Sequence, residues 1–455
     1  MNKREVNMLS GSIVKGVLAI AIPIMIMNVV QSLFNIIDMT ILKSHDPGNG
    51  IAIGAVGVCG TLISLSTGLL IGTSSGANVV IARYIGQGNK EHVEQAVGTS
   101  IMMSIVGGLI LMVVGVSFAE IFLKWMNCPE NLLSEAVRYY RLYFAGIPIL
   151  MLYNFCAAVL RSAGDARRPM IFLTLGGIVK VVLTYVFVAI CGMDVSGVAF
   201  ATIVSWTTSA VLGVHALIKN DGVIRLKRNA IRFCGRDVKE ILKIGVPTGL
   251  QQMLYAVANV VITATVNTFG AEATTGISIA NNFDGILYQI CTATSFAVMP
   301  YVSQNVGRGN IKRAQQAVIR GIVITICLGV TFGMLSAVFS GQLSSIMSDD
   351  PAVIAYSQQK MVIISSTYFI CGINDIMGAA LRGMGRPTIP TFTTLIYMCV
   401  LRFAWVYLVF PHYRNLTFLY LVWPIGWLLS LITLLCFYFP TVKRLLVSLQ
   451  NGRQL

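Results

Sequence analysis

Charged residues are scarce in this chain of 455 residues: Asp, Glu, Lys and Arg make up 11% of it and hydrophobic residues 56%. Soluble proteins carry about 25% charged residues, and a membrane-spanning helix needs about 20 apolar residues. The composition therefore excludes an ordinary soluble fold and predicts a membrane protein. Stretches without any charge recur along the whole length, at 16–37, 47–82, 95–119, 195–218, 244–271, 321–348 and 415–442.

Residues that support enzymatic chemistry are also sparse. The one adjacent pair of acids, Asp349 and Asp350, precedes Pro351 in a predicted outer loop and indicates a turn rather than a metal–pyrophosphate site. The sequence contains no GxxxxGK[ST] phosphate loop, its four His are scattered, and its ten Cys lack the spacing of a metal site or a disulfide framework. We therefore expect neither an enzyme nor a bound cofactor.

The apolar runs predict an all-α integral membrane protein with twelve transmembrane helices, because the short alternating strands of a β-barrel are missing. The first run is long and carries a polar stripe, so we interpret it as a retained helix rather than a signal peptide. The predicted spans are 16–42, 52–82, 95–119, 135–160, 169–192, 195–218, 241–268, 275–303, 314–340, 353–381, 387–410 and 415–440.

The basic residues indicate the orientation. Of the 33 Lys and Arg residues, 25 lie in segments that share one side with the N-terminus. This bias predicts a multi-pass protein with both termini in the cytoplasm, and it attributes the net charge of +15 to topology rather than to nucleic-acid binding. Six basic residues are assigned to the outer ends of spans: Lys43, Lys124, Arg138, Arg141, Lys360 and Arg414.

The two halves of the chain repeat each other. IAIP at 20–23 matches IGVP at 244–247, and the same offset of 224 carries Asn35 onto Asn259. An offset of 221 relates further matches: GQGN at 86–89 with GRGN at 307–310, LRSAG at 160–164 with LRGMG at 381–385, and Trp206 with Trp427.

Six spans per repeat give both copies the same orientation, so we expect two six-helix lobes related by a pseudo-twofold axis along the membrane normal. The predicted domains are an N-lobe at 1–218, a basic cytoplasmic linker at 219–240 and a C-lobe at 241–455. Two such lobes can open alternately to either side of the membrane, which is the mechanical requirement for a carrier.

Several segments stand out together: the run from Pro23 through Gln31 and Asn35 to Asp38, QN at 304–305, and the GQGN, GRGN, LRSAG and LRGMG motifs. With these residues, the sequence over residues 10–445 resembles the multidrug and toxic compound extrusion (MATE) family, and within it the bacterial DinF-like branch. The resemblance implies a V-shaped fold and a secondary antiporter that expels cationic or amphipathic compounds in exchange for protons or sodium ions. A monomer in the bacterial cytoplasmic membrane is expected, with a small-molecule substrate.

Asp38 is the leading candidate for ion coupling. At 100° per residue, Asn28, Gln31, Asn35 and Asp38 fall within an arc of about 80°, so one face of the first span is polar. An acid in apolar surroundings is costly and is a functional candidate by default, although Asp38 could instead be solvated near the outer surface. In the resembling family, the acid at this place couples transport to an ion. The ionisable residues in apolar surroundings are Asp38, Lys180, Asp284, Asp375 and Arg402.

The fifth span departs from its relatives. The DinF-like pattern has an Asn followed four residues later by an Asp, and here the matching positions are Lys180 and Thr184, while Thr202 matches the family's ion-site threonine. A lysine near Asp38 would occupy the place of a sodium ion. We therefore predict that Asp38 and Lys180 form a charge pair that proton or substrate switches; the alternative is that Lys180 reaches an interface.

The seventh span repeats the polar stripe with Gln252, Tyr255, Asn259 and Thr263 but has no acid. The resemblance places Asp284 where DinF-like sequences often carry an acid. Arg402 lies one residue past the counterpart of Lys180. A structural salt bridge of Arg402 with Asp375 or Asp284 and a second coupling site are equally open. The predicted substrate-cavity residues are Asn28, Gln31, Asn154, Gln252, Tyr255 and Asn259.

The favoured function is a proton-coupled exporter of small amphipathic compounds. A sodium-coupled exporter of the same class is the first alternative. A flippase for a lipid-linked precursor is the second, and it would need a more basic cavity than Lys180 and Arg402 supply.

Overall fold

The computed structural model describes residues 5–45, 51–126 and 128–451; Lys3, Arg4 and Arg453, which count toward the cytoplasmic charge bias, lie outside them. No strand occurs in these three ranges. The α-helices are α1 (Ile13–His45), α2 (Ile51–Gln87), α3 (Lys90–Trp125), α4 (Glu130–Ala145), α5 (Ile147–Ser162), α6 (Arg167–Tyr185), α7 (Val195–Ile218), α8 (Gly235–Asn267), α9 (Ala271–Gly307), α10 (Ile311–Val338), α11 (Ser340–Ser345), α12 (Pro351–Gly383), α13 (Thr388–Thr394), α14 (Leu401–Ala404), α15 (Leu416–Tyr420) and α16 (Val422–Gln450). Three π-helical turns extend or interrupt them, at Val186–Ile190, Leu395–Val400 and Trp405–Val409.

The predicted all-α membrane fold is confirmed. In the described part of the chain, eleven helices are long and apolar enough to cross a membrane, and a twelfth span results when the bent pair α4 and α5 counts as one. The direction of the chain bends by 44° between the two helices of that pair, just before Pro148 at the start of α5. Proline lacks the N–H that would continue the ladder, and its ring clashes with the preceding turn, so the break has a local cause.

The chain forms two compact units. The first comprises residues 26–245 and the described residues before Asn7, and the second comprises residues 7–25 and 246–455. Their limits differ from the predicted lobes because α1 and α8 each change unit along their length. Each change lies close to a proline within the helix, Pro23 in α1 and Pro247 in α8. Positions 23 and 247 are equivalent in the repeat, so the first helix of each half changes unit close to an equivalent proline.

The repeated GxGN motifs are turns that start a helix. Gly88 and Gly309 have φ angles of +73° and +80°, a region that side chains rarely adopt. The following Asn caps the next helix: Asn89 Oδ1 accepts from His92 N at 3.1 Å, and Asn310 Oδ1 accepts from Arg313 N at 3.1 Å. These caps satisfy backbone donors at the starts of α3 and α10. The motifs therefore serve the scaffold.

The repeated LRxxG motifs end α5 and α12. Gly164 and Gly385 have φ angles of +90° and +78°, and each follows the last turn of its helix. The backbone N–H of the residue after each glycine donates to the carbonyl of the motif leucine, Asp165 to Leu160 at 3.0 Å and Arg386 to Leu381 at 2.8 Å. This bond closes the helix end with a glycine in the left-handed region.

The predicted basic linker packs onto the first unit. Lys227 Nζ lies 2.7 Å from Glu94 Oε1, and Thr99 Oγ1 donates to Arg232 O at 3.1 Å, so both contacts join the linker to α3. Near the end of the linker, Tyr84 on α2 donates to the buried carboxylate of Asp237 at 3.0 Å. The linker is therefore fixed along its course.

Candidate functional sites

The first unit encloses a cavity of about 380 Å³ among α1, α2, α4, α6 and α7. Gln31 and Asn35 on α1, Lys180 on α6, and Thr202 on α7 all line it. Two residues of the polar stripe predicted for the first span, Gln31 and Asn35, thus lie on its wall. Trp206 lines it too and contacts Tyr143 edge to face, with ring centroids 4.9 Å apart.

Asp38 and Lys180 are in contact at this cavity. Lys180 Nζ lies 2.5 Å from Asp38 Oδ2, and the two side chains are 16% and 5% exposed. Lys180 Nζ also donates to Asn35 Oδ1 at 3.3 Å, and Thr184 Oγ1 donates to Asp38 Oδ1 at 3.1 Å. The geometry follows from helical spacing, since Asn35 and Asp38 are three residues apart and Lys180 and Thr184 four. Four predicted ion-coupling residues therefore meet.

Three other predicted site residues of the first unit are Thr202, Asn154 and Asn28, of which Thr202 and Asn154 donate hydrogen bonds within their own helices. Thr202 lines the cavity, but its hydroxyl donates to Val198 O on its own helix at 2.8 Å. Asn154 donates to Leu150 O at 3.0 Å. Neither Asn28 nor Asn154 is among the described residues that line the cavity.

The second unit encloses a cavity of about 350 Å³. Gln252, Tyr255 and Asn259 of α8 line it, as the repeated polar stripe predicts. The other lining helices carry Asp284 and Lys360, together with five aromatic side chains. These five aromatic residues are Tyr288, Tyr368, Tyr420, Trp423 and Trp427.

Lys360 is the partner of Asp284, which corrects its assignment to the outer end of a span. It is 3% exposed, its Nζ lies 2.8 Å from Asp284 Oδ2, and it also donates to Asn281 Oδ1. A signal was present in the sequence. The eighth and tenth predicted spans run in the same direction, and both residues lie within roughly ten positions of their starts, hence at similar depth.

The salt bridge that the sequence left open for Arg402 is not formed, because no ion pair within 4.0 Å joins it to Asp375 or Asp284 in the described structure. Its Nη1 donates to Asn259 Oδ1 at 2.7 Å, and its Nη2 lies 3.8 Å from Met398 Sδ. The guanidinium also stacks over Trp423, with Cζ 4.9 Å from the ring centroid. Its partners are thus an amide, a thioether and an aromatic ring, none of which neutralises its charge.

Asp375 occupies a separate small pocket, which it lines together with Arg382 and Gln251. Its Oδ2 accepts from Thr292 Oγ1 at 2.9 Å, while Arg382 Nη1 donates to Gln251 Oε1 at 2.9 Å. Searching the described residues finds no group of three His, Cys, Asp or Glu side chains that could hold a metal ion. The three ionisable residues predicted in apolar surroundings of the second unit thus divide between two places, Asp284 and Arg402 at the larger cavity and Asp375 at the small pocket.

Comparisons with known proteins agree with this architecture. A family model described as MatE matches residues 23–186 and 247–408. The chain is 24% identical over 432 residues to the probable multidrug resistance protein YoeA of Bacillus subtilis (strain 168), covering 92% of this chain and 91% of that protein. It is 26% identical over 404 residues to the probable multidrug resistance protein NorM of Thermotoga maritima, covering 88% and 86%.

Among solved structures, the fold is similar to one described as the outward-facing conformation of a multidrug resistance MATE family transporter of the MOP superfamily. The TM-score is 0.90 at 21% identity, covering 98% of this chain and 99% of that one. At this sequence identity, the similarity shows that the two chains share a fold.

Proposed function

The chain belongs to the MatE family, whose members are membrane transporters rather than enzymes, and from this premise we propose that it is a proton-coupled antiporter. It exports small cationic or amphipathic compounds across the bacterial cytoplasmic membrane, with both termini in the cytoplasm. Its relatives YoeA and NorM are described as probable multidrug resistance proteins, which supports this substrate class. We also propose that the protein is a monomer, with an N-lobe at 1–218 and a C-lobe at 241–455 joined by the linker at 219–240.

The contact between Lys180 and Asp38, at 2.5 Å, carries this proposal. The buried carboxylate of Asp38 holds the half-buried ammonium group of Lys180 by charge. When a proton binds Asp38, that attraction ends, and Lys180 becomes free to turn into the cavity that it lines. Removing one partner of a buried pair costs about 3–5 kcal/mol, so protonation can drive a change of conformation.

The same contact favours protons over sodium ions. Sodium, as a hard cation, is held by oxygen ligands, and the oxygens near Lys180 Nζ are those of Asn35 and Asp38. The ammonium group occupies the position between them. A sodium ion would have to displace Lys180 before it could reach these oxygens, whereas a proton needs only Asp38.

The test is counterflow of a fluorescent cation in proteoliposomes, with a proton gradient and a sodium gradient imposed separately. We expect transport to be driven by the proton gradient and lost in Asp38→Asn. The matched control is Asp194→Asn, which removes an exposed acid of the same unit and should transport as the wild type does. Drive by the sodium gradient alone would refute proton coupling and move the coupling site away from Lys180.

A flippase for a lipid-linked precursor is the second candidate, and one observation favours it: the second cavity holds two cations, Lys360 and Arg402, beside one acid. Movement of a lipid-linked pyrophosphate across the membrane of the same proteoliposomes, measured alongside dye transport, tests this candidate. Movement of a lipid-linked pyrophosphate without transport of the dye would favour the flippase.

A further inference from the structure

The cavity of the second unit carries an excess of positive charge. Lys360 and Arg402 line it and are 3% and 2% exposed, while Asp284 is the acid among its lining residues. The neighbouring pocket holds Asp375 and Arg382, whose charges balance each other. The two places together therefore retain one uncompensated buried cation.

That cation is Arg402, because Lys360 already contacts Asp284. Arg402 Nε is buried and donates to no acceptor among the described residues. A buried charge without a counter-charge is costly, and such a residue marks a substrate or ion pathway by default. A guanidinium presents its donors in a planar fork that suits carboxylate, sulfonate and phosphate groups. An anionic group of a bound molecule would satisfy both the charge and the free donor.

The backbone around Arg402 is also unusual. The residue lies in α14, a four-residue α-helical segment between two π-helical turns, Leu395–Val400 and Trp405–Val409. π-Helical turns are rare and occur frequently at functional sites, because they shift the direction of the side chains that follow. Here they place Arg402 against Asn259 on one side and the ring of Trp423 on the other.

Aromatic rings form much of the remaining wall. Tyr368 and Trp427 contact each other with centroids 5.4 Å apart, and Trp423 faces both buried cations, with Lys360 Nζ 5.9 Å from its ring centroid. Tyr420 is fully buried, and its hydroxyl has no partner among the described residues. A volume of about 350 Å³ fits a small organic molecule, and such walls favour flat rings.

We propose that the second cavity binds an aromatic organic anion, with its anionic group on the guanidinium of Arg402 and its ring against Trp423 and Trp427. This inference rests on the proposed function in one respect, because the bound anion is then a transported compound. The compounds that this protein exports would therefore include aromatic anions as well as cations. Binding itself requires no gradient and can be measured without transport.

The experiment measures fluorescence anisotropy of two dyes with the purified full chain in detergent. Fluorescein and rhodamine 123 share a xanthene ring system but differ in charge, so the comparison isolates the anionic group. We expect fluorescein to bind at least tenfold more tightly than rhodamine 123. Benzoate should compete with fluorescein, whereas acetate, which has no ring, should compete at least tenfold more weakly.

Variants locate the bound anion. Arg402→Gln should weaken fluorescein binding at least tenfold, and Arg402→Lys, which keeps the charge, should restore part of it. Arg320→Gln removes an exposed Arg of the same unit and serves as the control, with fluorescein affinity as in the wild type. Thermal unfolding of each variant shows whether it is folded, and the Arg402→Lys result applies if Arg402→Gln does not fold.

Tighter binding of rhodamine 123 than of fluorescein would overturn the inference, and so would equal fluorescein affinity in the wild type and in a folded Arg402→Gln variant. Failure of the proposed function looks different. It would leave fluorescein binding intact while neither gradient drives dye transport in proteoliposomes. Conversely, proton-driven export of a cation without fluorescein binding would retain the transporter and reject the anion site.

Discussion

The two cavities occupy equivalent places in the repeat but carry different charges. In both, a cation near the π-helical part of its span contacts the Asn of the polar stripe: Lys180 bonds Asn35, and Arg402 bonds Asn259. The acid differs. Asp38 faces Lys180, whereas its counterpart at an offset of 224 is the apolar Ile262.

The acid of the second unit lies on another wall. The offset of 221 relates Asp284 and Lys360 to Ile63 and Tyr139, so this ion pair has no charged counterpart in the first cavity. The same offset relates Trp423 to Thr202. One scaffold thus supports a balanced cavity in the first unit and a cationic, aromatic cavity in the second. The comparison separates what the fold requires from what each site can do.

The largest effect is expected from breaking the ion pair of Asp38 and Lys180, which has no equivalent at the same positions of the second unit. Asp38→Ala leaves the half-buried Lys180 without a counter-charge and should destabilise the protein by up to about 3 kcal/mol. The double variant Asp38→Asn with Lys180→Met removes both charges, so it should recover most of the thermal stability in detergent but none of the gradient-driven transport. If the single variant unfolds at the wild-type temperature, the pair contributes nothing to stability.

Converting the first cavity to the ion site of its relatives should change the driving ion. Lys180→Asn with Thr184→Asp removes the ammonium group and adds a carboxylate on the same face of α6. We expect sodium-driven dye transport to rise at least tenfold over the wild type in proteoliposomes. Thr184→Asp alone keeps Lys180 and is the control. An absence of sodium drive in the double variant would show that Lys180 does not stand in for the ion.

Adding the missing acid to the second cavity should make the two cavities more alike. Ile262 lines that cavity at the position equivalent to Asp38, so Ile262→Asp would supply a counter-charge for Arg402. Fluorescein affinity should fall about tenfold, which corresponds to about 1.4 kcal/mol. Ile262→Asn, of matched size and polarity without the charge, should have a weaker effect. Equal losses in both variants would attribute the change to packing rather than charge.

The smallest effect concerns the contact that both units share. Arg402 Nη1 lies 2.7 Å from Asn259 Oδ1, and Arg402 is buried; Lys180 Nζ lies 3.3 Å from Asn35 Oδ1 in a more exposed position. Asn259→Ala should therefore cost about 1 kcal/mol of stability and Asn35→Ala less than half of that. Unfolding temperatures in detergent provide the comparison, and the reverse order would contradict it.

Much of the first site was predictable because it depends on spacing within helices. Asn35 and Asp38 share a face of α1, as do Lys180 and Thr184 of α6, and charges in apolar surroundings need partners. The structure brings these four side chains together. Lys360 escaped prediction because it stands near the start of a span, where sequence patterns cannot distinguish a solvated end from a buried wall.

Arg402 shows a different limit. The sequence indicated that a charge at this position needs a partner, and Asp284 and Asp375 in the same half of the chain were both candidates. In the structure, Asp284 pairs with Lys360 and Asp375 lies in a separate pocket. Arg402 therefore contacts Asn259 and Trp423 instead. Pairing between helices depends on their rotation and on π-helical turns, which periodicity does not specify.

The sequence by itself determined the class of the protein, its number of spans and its internal repeat, because the bilayer demands long apolar helices and the duplication preserves glycine turns and helix caps. It also determined which side chains of one helix share a face. Only the tertiary structure decided which cation meets which acid and which remains uncompensated. That choice depends on angles and depths between separate helices, where a small rotation exchanges one partner for another.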